Sequence, residues 1–237
     1  MGTRRVSRAG YVTGRRVRGS ERGEMKRKRV TGARSKMGPS GDPGATRAAL
    51  LEAAQRAFEE AGFDGTDTNR IARAAGYSPQ TFYRHFPDKL AIFVAVYERW
   101  VESHMAASFA AQGPSEAAQV ALREHAAARI FRRDLRALSL TDPRVRAVRA
   151  RERQRQLEAL RARFPVAREL PLAQLATWLL CAERIADAIV EHELADLGLT
   201  KAEAEAQLAR MVGMLRPGGA ESGPQGLPPL ARRQTSS

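Results

Sequence analysis

Residues 75–89 read AGYSPQTFYRHFPDK, and this stretch decides the fold. Gly76 can turn the chain where a Cβ would be penalised. Ser78 is a good helix N-cap, and Pro79 suits N1, where its missing N–H would be an orphan in any case. Counting on, Tyr77 falls at N′ and Phe82 at N4, the two positions of a hydrophobic staple. Phe86 lies one turn past Phe82, on the same side. With both phenylalanines inward, a step of about 100° per residue sends Gln80 and Arg84 outward, flanked by Thr81 and Tyr83. So short a helix is stable only through tertiary packing. Here the packing is supplied by cap, staple and phenylalanines, and a polar face is left over.

The residues upstream complete a motif. TRAALLEAAQRAFEEAGF, residues 46–63, places Leu50, Leu51, Ala54, Ala57, Phe58 and Ala61 along one stripe of an amphipathic helix. Gly62 is its expected C′ residue, with Phe63 packing back on Phe58 in a Schellman stop. Asp67 can cap a second short helix whose inward residues would be Ile71 and Ala74 or Ala75. Two short helices joined through a glycine turn describe a helix-turn-helix. In that motif the second helix enters the major groove and its N-terminal residues reach base edges. The alternative is a solvated face on a small helical hairpin. The DNA reading takes Ser78, Gln80, Thr81, Tyr83 and Arg84 as candidate contacts.

From Thr46 to Val96 the chain closely resembles, without a gap, the N-terminal domain of the TetR family of bacterial transcriptional regulators, and TFYRHFPDK is among that family's most specific signatures. The resemblance implies that Thr81, Tyr83 and His85 touch DNA, the latter two at its backbone. It also implies that Lys89 meets a phosphate at the start of the fourth helix and that Arg47 is the basic residue opening the first. Two positions depart from the pattern. Asp67 stands where the family often has a phosphate-bonding Thr, and its carboxylate would repel a phosphate. Gln80 replaces a frequent Gly and can pair bidentately with adenine, so an operator cannot be borrowed from relatives.

Past Pro87 the spacing predicts six more helices. KLAIFVAVYERWVESHMAASFAA is a long fourth helix. Gly113-Pro114 breaks the pattern, and Ser115 is the expected cap of a fifth; a sixth follows. The seventh has Asp142 as cap and Pro143 at N1. Its face of Val145, Val148, Glu152, Arg155, Gln156 and Leu160 suits either a helix edge meeting solvent or a pocket with a few aimed polar groups. On the second reading, an effector pocket would lie between Trp100, His104, Glu152, Gln156 and Trp178. The eighth, LPLAQLATWLLCAERIADAIVEHELADLG, is the most apolar and should run to Gly198. Thr200 and Glu203 form a capping box for the ninth. Leu179, Ala182, Ile185, Ala186, Ile189, Leu208 and Met211 could close a monomer's core. The resemblance implies instead that the last two helices form a four-helix interface between subunits.

Composition bounds the rest. Ala, Leu, Arg, Glu and Gln dominate over strand formers, which favours an all-α fold. The longest apolar run is too short to cross a bilayer. Cys181 stands alone, which excludes an internal disulfide and suits a reducing cytoplasm. Residues 1–40 hold 13 Lys and Arg against Glu21 and Glu24, so they carry +11 of the chain's +14. This leader, with scattered Gly and no helical period, is expected to be disordered. It is either a basic arm lying along DNA phosphates or an upstream start, since Met25 and Met37 could each begin a shorter product. No catalytic motif, metal-ligand spacing or phosphate loop is found, so no enzyme, metal or cofactor is expected.

The expected protein is all-α. Residues 1–43 form the extension, 44–91 the helix-turn-helix domain, 92–216 a helical effector-binding and dimerisation domain, and 217–237 a flexible tail. Its expected role is a cytoplasmic, nucleoid-associated homodimeric repressor on a palindromic operator, released by a small molecule. A sequence-tolerant architectural DNA binder and an activator are the alternatives.

Overall fold

The computed structural model describes residues 42–216, and among these every regular element is helical. The basic leader and the C-terminal tail lie outside the described residues. Helix α1 (Pro43–Ala61) is capped by Asp42, whose Oδ1 accepts from the Gly44 amide at 2.9 Å. Its buried stripe contains Leu50, Leu51, Ala54, Ala57 and Phe58, as the spacing predicts.

The two glycine stops differ from expectation. Gly62 does take positive φ (+72°), but its ψ of −176° lies outside the left-handed helical region. The Phe63 amide does not turn back to the helix; it donates to Asp134 Oδ2 at 2.5 Å. Phe63 still stacks near Phe58, ring centroids 6.2 Å apart. The Schellman geometry occurs instead at the end of α2 (Thr68–Ala74). There the Tyr77 amide donates to the Ala72 carbonyl at 2.9 Å and the Gly76 amide to that of Arg73 at 3.0 Å, with Gly76 at φ +80°. Because α2 is wedged between α1 and α3 (Pro79–His85), its buried side spans the adjacent Ile71 and Ala72. Of the expected inward residues, Ile71 is buried and Ala75 packs half-buried against the core, while Ala74 is exposed and Ala72 takes the second buried place.

Helix α4 (Lys89–Ala110) starts at Asp88, which caps the Ala91 amide at 2.7 Å. At 22 residues it is about 33 Å long. Its first half joins the core of the N-terminal helices, where Phe93 meets Phe58 at 5.0 Å and Phe131 at 4.7 Å between centroids. Its second half walls a cavity. The expected domain boundary at 91/92 thus falls inside one continuous helix.

Helix α5 (Pro114–Ala127) has Gly113, not Ser115, at its N-cap, because Pro114 already occupies N1. Helix α6 (Arg129–Thr141) follows almost directly, and α7 (Pro143–Arg163) begins as expected, with Asp142 accepting from the Arg144 amide at 2.8 Å. A short helix not foreseen, α8 (Pro165–Glu169), precedes α9 (Leu172–Val190). Helix α9 ends at Val190 rather than at Gly198. His192 adopts φ +62°, a 3-10 turn covers Glu193–Leu197, and Gly198 then turns the chain at φ +74°. The capping box on α10 (Lys201–Gly213) is present in both directions, the Glu203 amide to Thr200 Oγ1 at 3.2 Å and the Thr200 amide to Glu203 Oε2 at 2.8 Å.

The largest apolar cluster runs without interruption from Leu50 and Phe58 through Phe82 and Phe86 to Phe93, Phe131, Leu135 and Val145. It therefore ties α1–α3 to α4, α6 and α7. Each fully buried phenylalanine contributes roughly 1.5–3 kcal/mol of transfer free energy. A second cluster joins Leu160, Phe164, Leu175, Leu179 and Leu215, and a third joins Ala118, Ala186, Ile189, Ala204 and Leu208.

Candidate functional site

The polar face of α3 stands on a rigid base. Phe82 is completely buried and Phe86 nearly so, while Gln80, Tyr83 and Arg84 are exposed and Thr81 and His85 half-exposed. Ser78 Oγ accepts from the Thr81 amide at 3.2 Å and pairs with Thr81 Oγ1 at 3.0 Å, which holds the first turn. The Tyr83 hydroxyl meets Thr68 Oγ1 at 3.0 Å, linking α3 to the first turn of α2. Arg47 is exposed and covers the Phe86 ring at 5.1 Å, so its cation lies by the end of α3. Asp67 caps α2 through the Arg70 amide at 2.8 Å.

Lys89 departs from the expectation. Its Nζ donates to the carbonyls of Phe63 at 2.7 Å and Thr66 at 3.0 Å and sits 4.0 Å from the Phe63 ring centroid. Two of its three donors and its charge are thus satisfied by the loop between α1 and α2. It anchors that loop and does not join the α3 face. Its neighbour Asp88 accepts from Arg144 on α7 at 2.9 Å. That pair holds the Asp88 carboxyl below its ordinary value, against a burial effect that raises it and with help from the Ala91 amide.

A cavity of about 90 Å³ lies between α4, α5, α7, α9 and α10. Trp100, His104, Gln156 and Trp178 line it, four of the five residues expected there. Glu152 does not. It is buried one turn before Gln156 on α7 and accepts from Arg155 Nη1 at 2.9 Å. The mixed face of α7 is therefore interior at Val145, Glu152, Gln156 and Leu160 and meets solvent at Arg155. Trp178 Nε1 already donates to the Met211 carbonyl at 2.8 Å. Trp100 Nε1, His104 Nδ1 and Gln156 Oε1 are buried with no hydrogen-bond partner among the described residues. His104 stacks on Trp100 at 4.9 Å and stays neutral, its pKa pushed down to about 3 by burial and then by His125 and Arg132. Tyr97 nearby is pushed up to about 12 by burial and by Glu183.

Behind the cavity sits a charge network that sequence reasoning missed. Asp187, buried on α9, accepts from His125 Nδ1 at 2.9 Å, Arg132 Nε at 2.7 Å and Arg136 Nη1 at 2.5 Å. Burial alone would raise the Asp187 carboxyl, but the bonds from His125 and Arg132 hold it well below the usual carboxylate range. His125 is lowered by burial and by Arg132, so it is neutral and donates from Nδ1. Arg132 also covers the Trp100 ring at 4.5 Å. From the same helix, Asp134 reaches the Phe63 amide beside α1. Helix α6 thus touches the cavity wall with one set of side chains and the N-terminal helices with another. The only signal in the sequence was the four arginines of α6 at helical spacing, which resembles any solvated face.

The residues expected at a subunit interface pack largely within the chain, as in the alternative of a closed monomer core. Ala186, Ile189 and Leu208 are buried in the chain's own third cluster, with Ile185 packed against them; Leu179 belongs to the second, and Ala182 lines the cavity. Only Met211 faces outward, in a shallow groove with Ala173, Gln174, Thr177, Cys181 and Met214. Hydrophobicity identified the buried side of α9 but could not tell burial within a chain from burial between chains. Leu180, at 43% exposure, and Met214, at 58%, extend the outer face.

Residues 50–96 match the family model of the bacterial regulatory proteins, tetR family. No curated protein matches the chain. Among solved structures, a protein assigned to the TetR family of transcriptional regulators in Rhodococcus sp. is similar, with 18% identity over 73% of this chain and 98% of that one, at a TM-score of 0.56. A tetR-family transcriptional regulator from Streptomyces coelicolor shares 22% identity over 73% of this chain and 80% of that one, at a TM-score of 0.52. GusR from Salmonella enterica shares 24% over 73% and 97%, at 0.51. At such identities the likeness is one of fold.

Proposed function

We propose, from the premise that this chain belongs through residues 50–96 to the tetR family of bacterial regulatory proteins, that it is a homodimeric repressor releasing a palindromic operator when a small molecule occupies its cavity. The observation that carries this reading is the α3 face. Gln80, Tyr83 and Arg84 are exposed on a helix whose other side, Phe82 and Phe86, is locked in the core. Gln80 reads a base edge, and Ser78 and Thr81 lie at the end of the helix that leads into the groove. Tyr83, Arg84, His85 and Arg47 serve the phosphates. Lys89 acts indirectly, by holding the loop that carries α2.

The outer groove of α9 and α10 is the surface that a second copy covers. Its mix of Met211, Met214, Cys181, Thr177 and Leu180 is apolar enough to pair and polar enough to be soluble alone. A dimer through it would set two copies of α3 on successive major grooves, about 34–36 Å apart. The effector can act only by favouring the form whose spacing no longer fits. Helix α6 is the element that both ends share, through Arg132 at the cavity and Asp134 at Phe63. Such a protein works in the cytoplasm, on the nucleoid.

The test is selection of bound fragments from a random-sequence pool with the full chain, followed by footprinting. A single palindrome protected over two half-sites is expected, with dimers in sedimentation. Sequence-independent coating, or a protected single half-site, would overturn the reading.

A further inference from the structure

We infer that the cavity takes a small, uncharged, single-ring aromatic molecule bearing a hydroxyl group. The inference rests on the reading of the cavity as the effector site and names the class of molecule that fits it. Size sets the first limit. At about 90 Å³ the space is smaller than the roughly 150 Å³ that admits benzene in an engineered core. One ring fits after modest side-chain adjustment, and a fused ring system or an acyl chain does not.

The walls set the second limit. Phe109, Leu160, Phe164, Leu179 and Leu208 present hydrocarbon, and Trp178 does the same because its N–H is already bonded to Met211. Four buried polar atoms of the lining have no partner among the described residues, on Trp100, His104, Gln156 and Arg216. Trp100, 6% exposed, has an unpartnered Nε1–H donor, and Gln156, 3% exposed, has an unpartnered Oε1 acceptor. The Trp100 ring itself is covered by His104 and Arg132, so its unused group is the N–H. A hydroxyl is the smallest group that accepts from one and donates to the other with a single atom.

Charge sets the third limit. Glu183 is paired with Arg153 at 3.0 Å and Arg149 at 3.9 Å. Arg216 donates to the carbonyls of Ala111 at 2.9 Å and Ser108 at 3.2 Å. Asp187 is held by its three donors, and His104 is neutral. An ammonium entering this space would lose its water and meet no free carboxylate, and a carboxylate would meet only Arg216, whose terminal N–H groups are already given to those carbonyls and whose Nε alone is left to offer.

Calorimetric titration of the full chain with phenol, toluene and benzoate tests this. Phenol should bind saturably and about tenfold more tightly than toluene, the ratio of a hydrogen bond made to one left unmade. Benzoate should not saturate. In Gln156→Leu and Trp100→Phe, each verified as folded by circular dichroism, the phenol advantage should shrink or vanish. Benzoate binding as tightly as phenol, toluene matching phenol in the wild type, or a phenol advantage intact in both variants would overturn the inference. Retention of the selected DNA, followed in parallel, separates the two readings. Phenol binding without DNA release removes the effector role and leaves the ligand class. Release by a compound that phenol cannot displace does the reverse.

Discussion

Gly62→Ala should be one of the most damaging single-methyl additions in this chain. The residue sits at φ +72° and ψ −176°, a region essentially reserved for glycine, and holding alanine there costs about 1–3 kcal/mol. The added Cβ would also stand 2.6 Å from Asp134 Oδ2 and 3.2 Å from Ile130 Cγ2. The carboxylate must move, and with it goes the 2.5 Å bond to the Phe63 amide. A charge-assisted bond of that kind is worth about 1.5–3 kcal/mol. The sum is about 2.5–6 kcal/mol, a large part of the roughly 5–15 kcal/mol that holds a domain folded. Asp134→Ala alone should lose only the bond. In the Asp134→Ala background, Gly62→Ala should then cost only the backbone strain, because the clash has been removed. Urea unfolding of the four proteins at constant m-value measures each step. A coupling of about 1.5–3 kcal/mol is expected. A Gly62→Ala variant within about 0.5 kcal/mol of wild type, or a cycle additive within that margin, would show that Asp134 does not press on this glycine.

Arg84→Ala should weaken binding to all sequences alike and lower the log–log salt slope by about 0.9, whereas Gln80→Ala should relax preference at one base pair by about 1–3 kcal/mol. Lys89→Met should leave that slope unchanged and instead reduce stability in urea, since its partners are carbonyls of the chain itself. Met214→Asp and Leu180→Glu, on the outer face of α9 and α10, should yield folded monomers in sedimentation, while Ile185→Glu should destabilise the subunit from within. His104 binds a proton in the unfolded chain near its ordinary pKa of about 6.5 but in the folded chain only near 3. Stability should therefore fall by up to about 1.4 kcal/mol per pH unit for this one group as pH drops from about 6 to 4. His104→Phe should flatten that slope in thermal melts at matched ionic strength, and an unchanged slope would remove His104 as its source.

The helix-turn-helix was legible because short-range chemistry dictates it. Ser78, Pro79, Phe82 and Phe86 act within two turns, and their roles follow from spacing alone. Lys89 was misread because its position in the motif names a place along the chain and not the direction of a long side chain. Gly62 and Gly76 show the same limit, since both are positive-φ stops. Which of them closes a Schellman motif depended on Asp134, far along the chain. The cavity was partly legible, as Trp100, His104, Gln156 and Trp178 were placed in it. His125, Arg132 and Asp187 were not, because three helices supply them and no local pattern marks a long-range charge cluster. Burial on α9 was foreseen, and its packing on α10 within the chain was one of the two alternatives left open.

Asp187 also bears on how such a protein can change over generations. One carboxylate serves donors from two other helices, so losing it would strand His125, Arg132 and Arg136 together, and losing any one of them would leave the buried carboxylate underpaired. Single substitutions at these sites should be strongly epistatic, tolerated only in combinations that no one-step path supplies. Trp178, Leu179, Leu208 and Val212 line the same cavity without belonging to the network. They can vary one at a time and alter what fits. On the proposed reading, what fits the cavity is free to drift while α6 stays fixed, so variants with new responses are best sought among those wall positions.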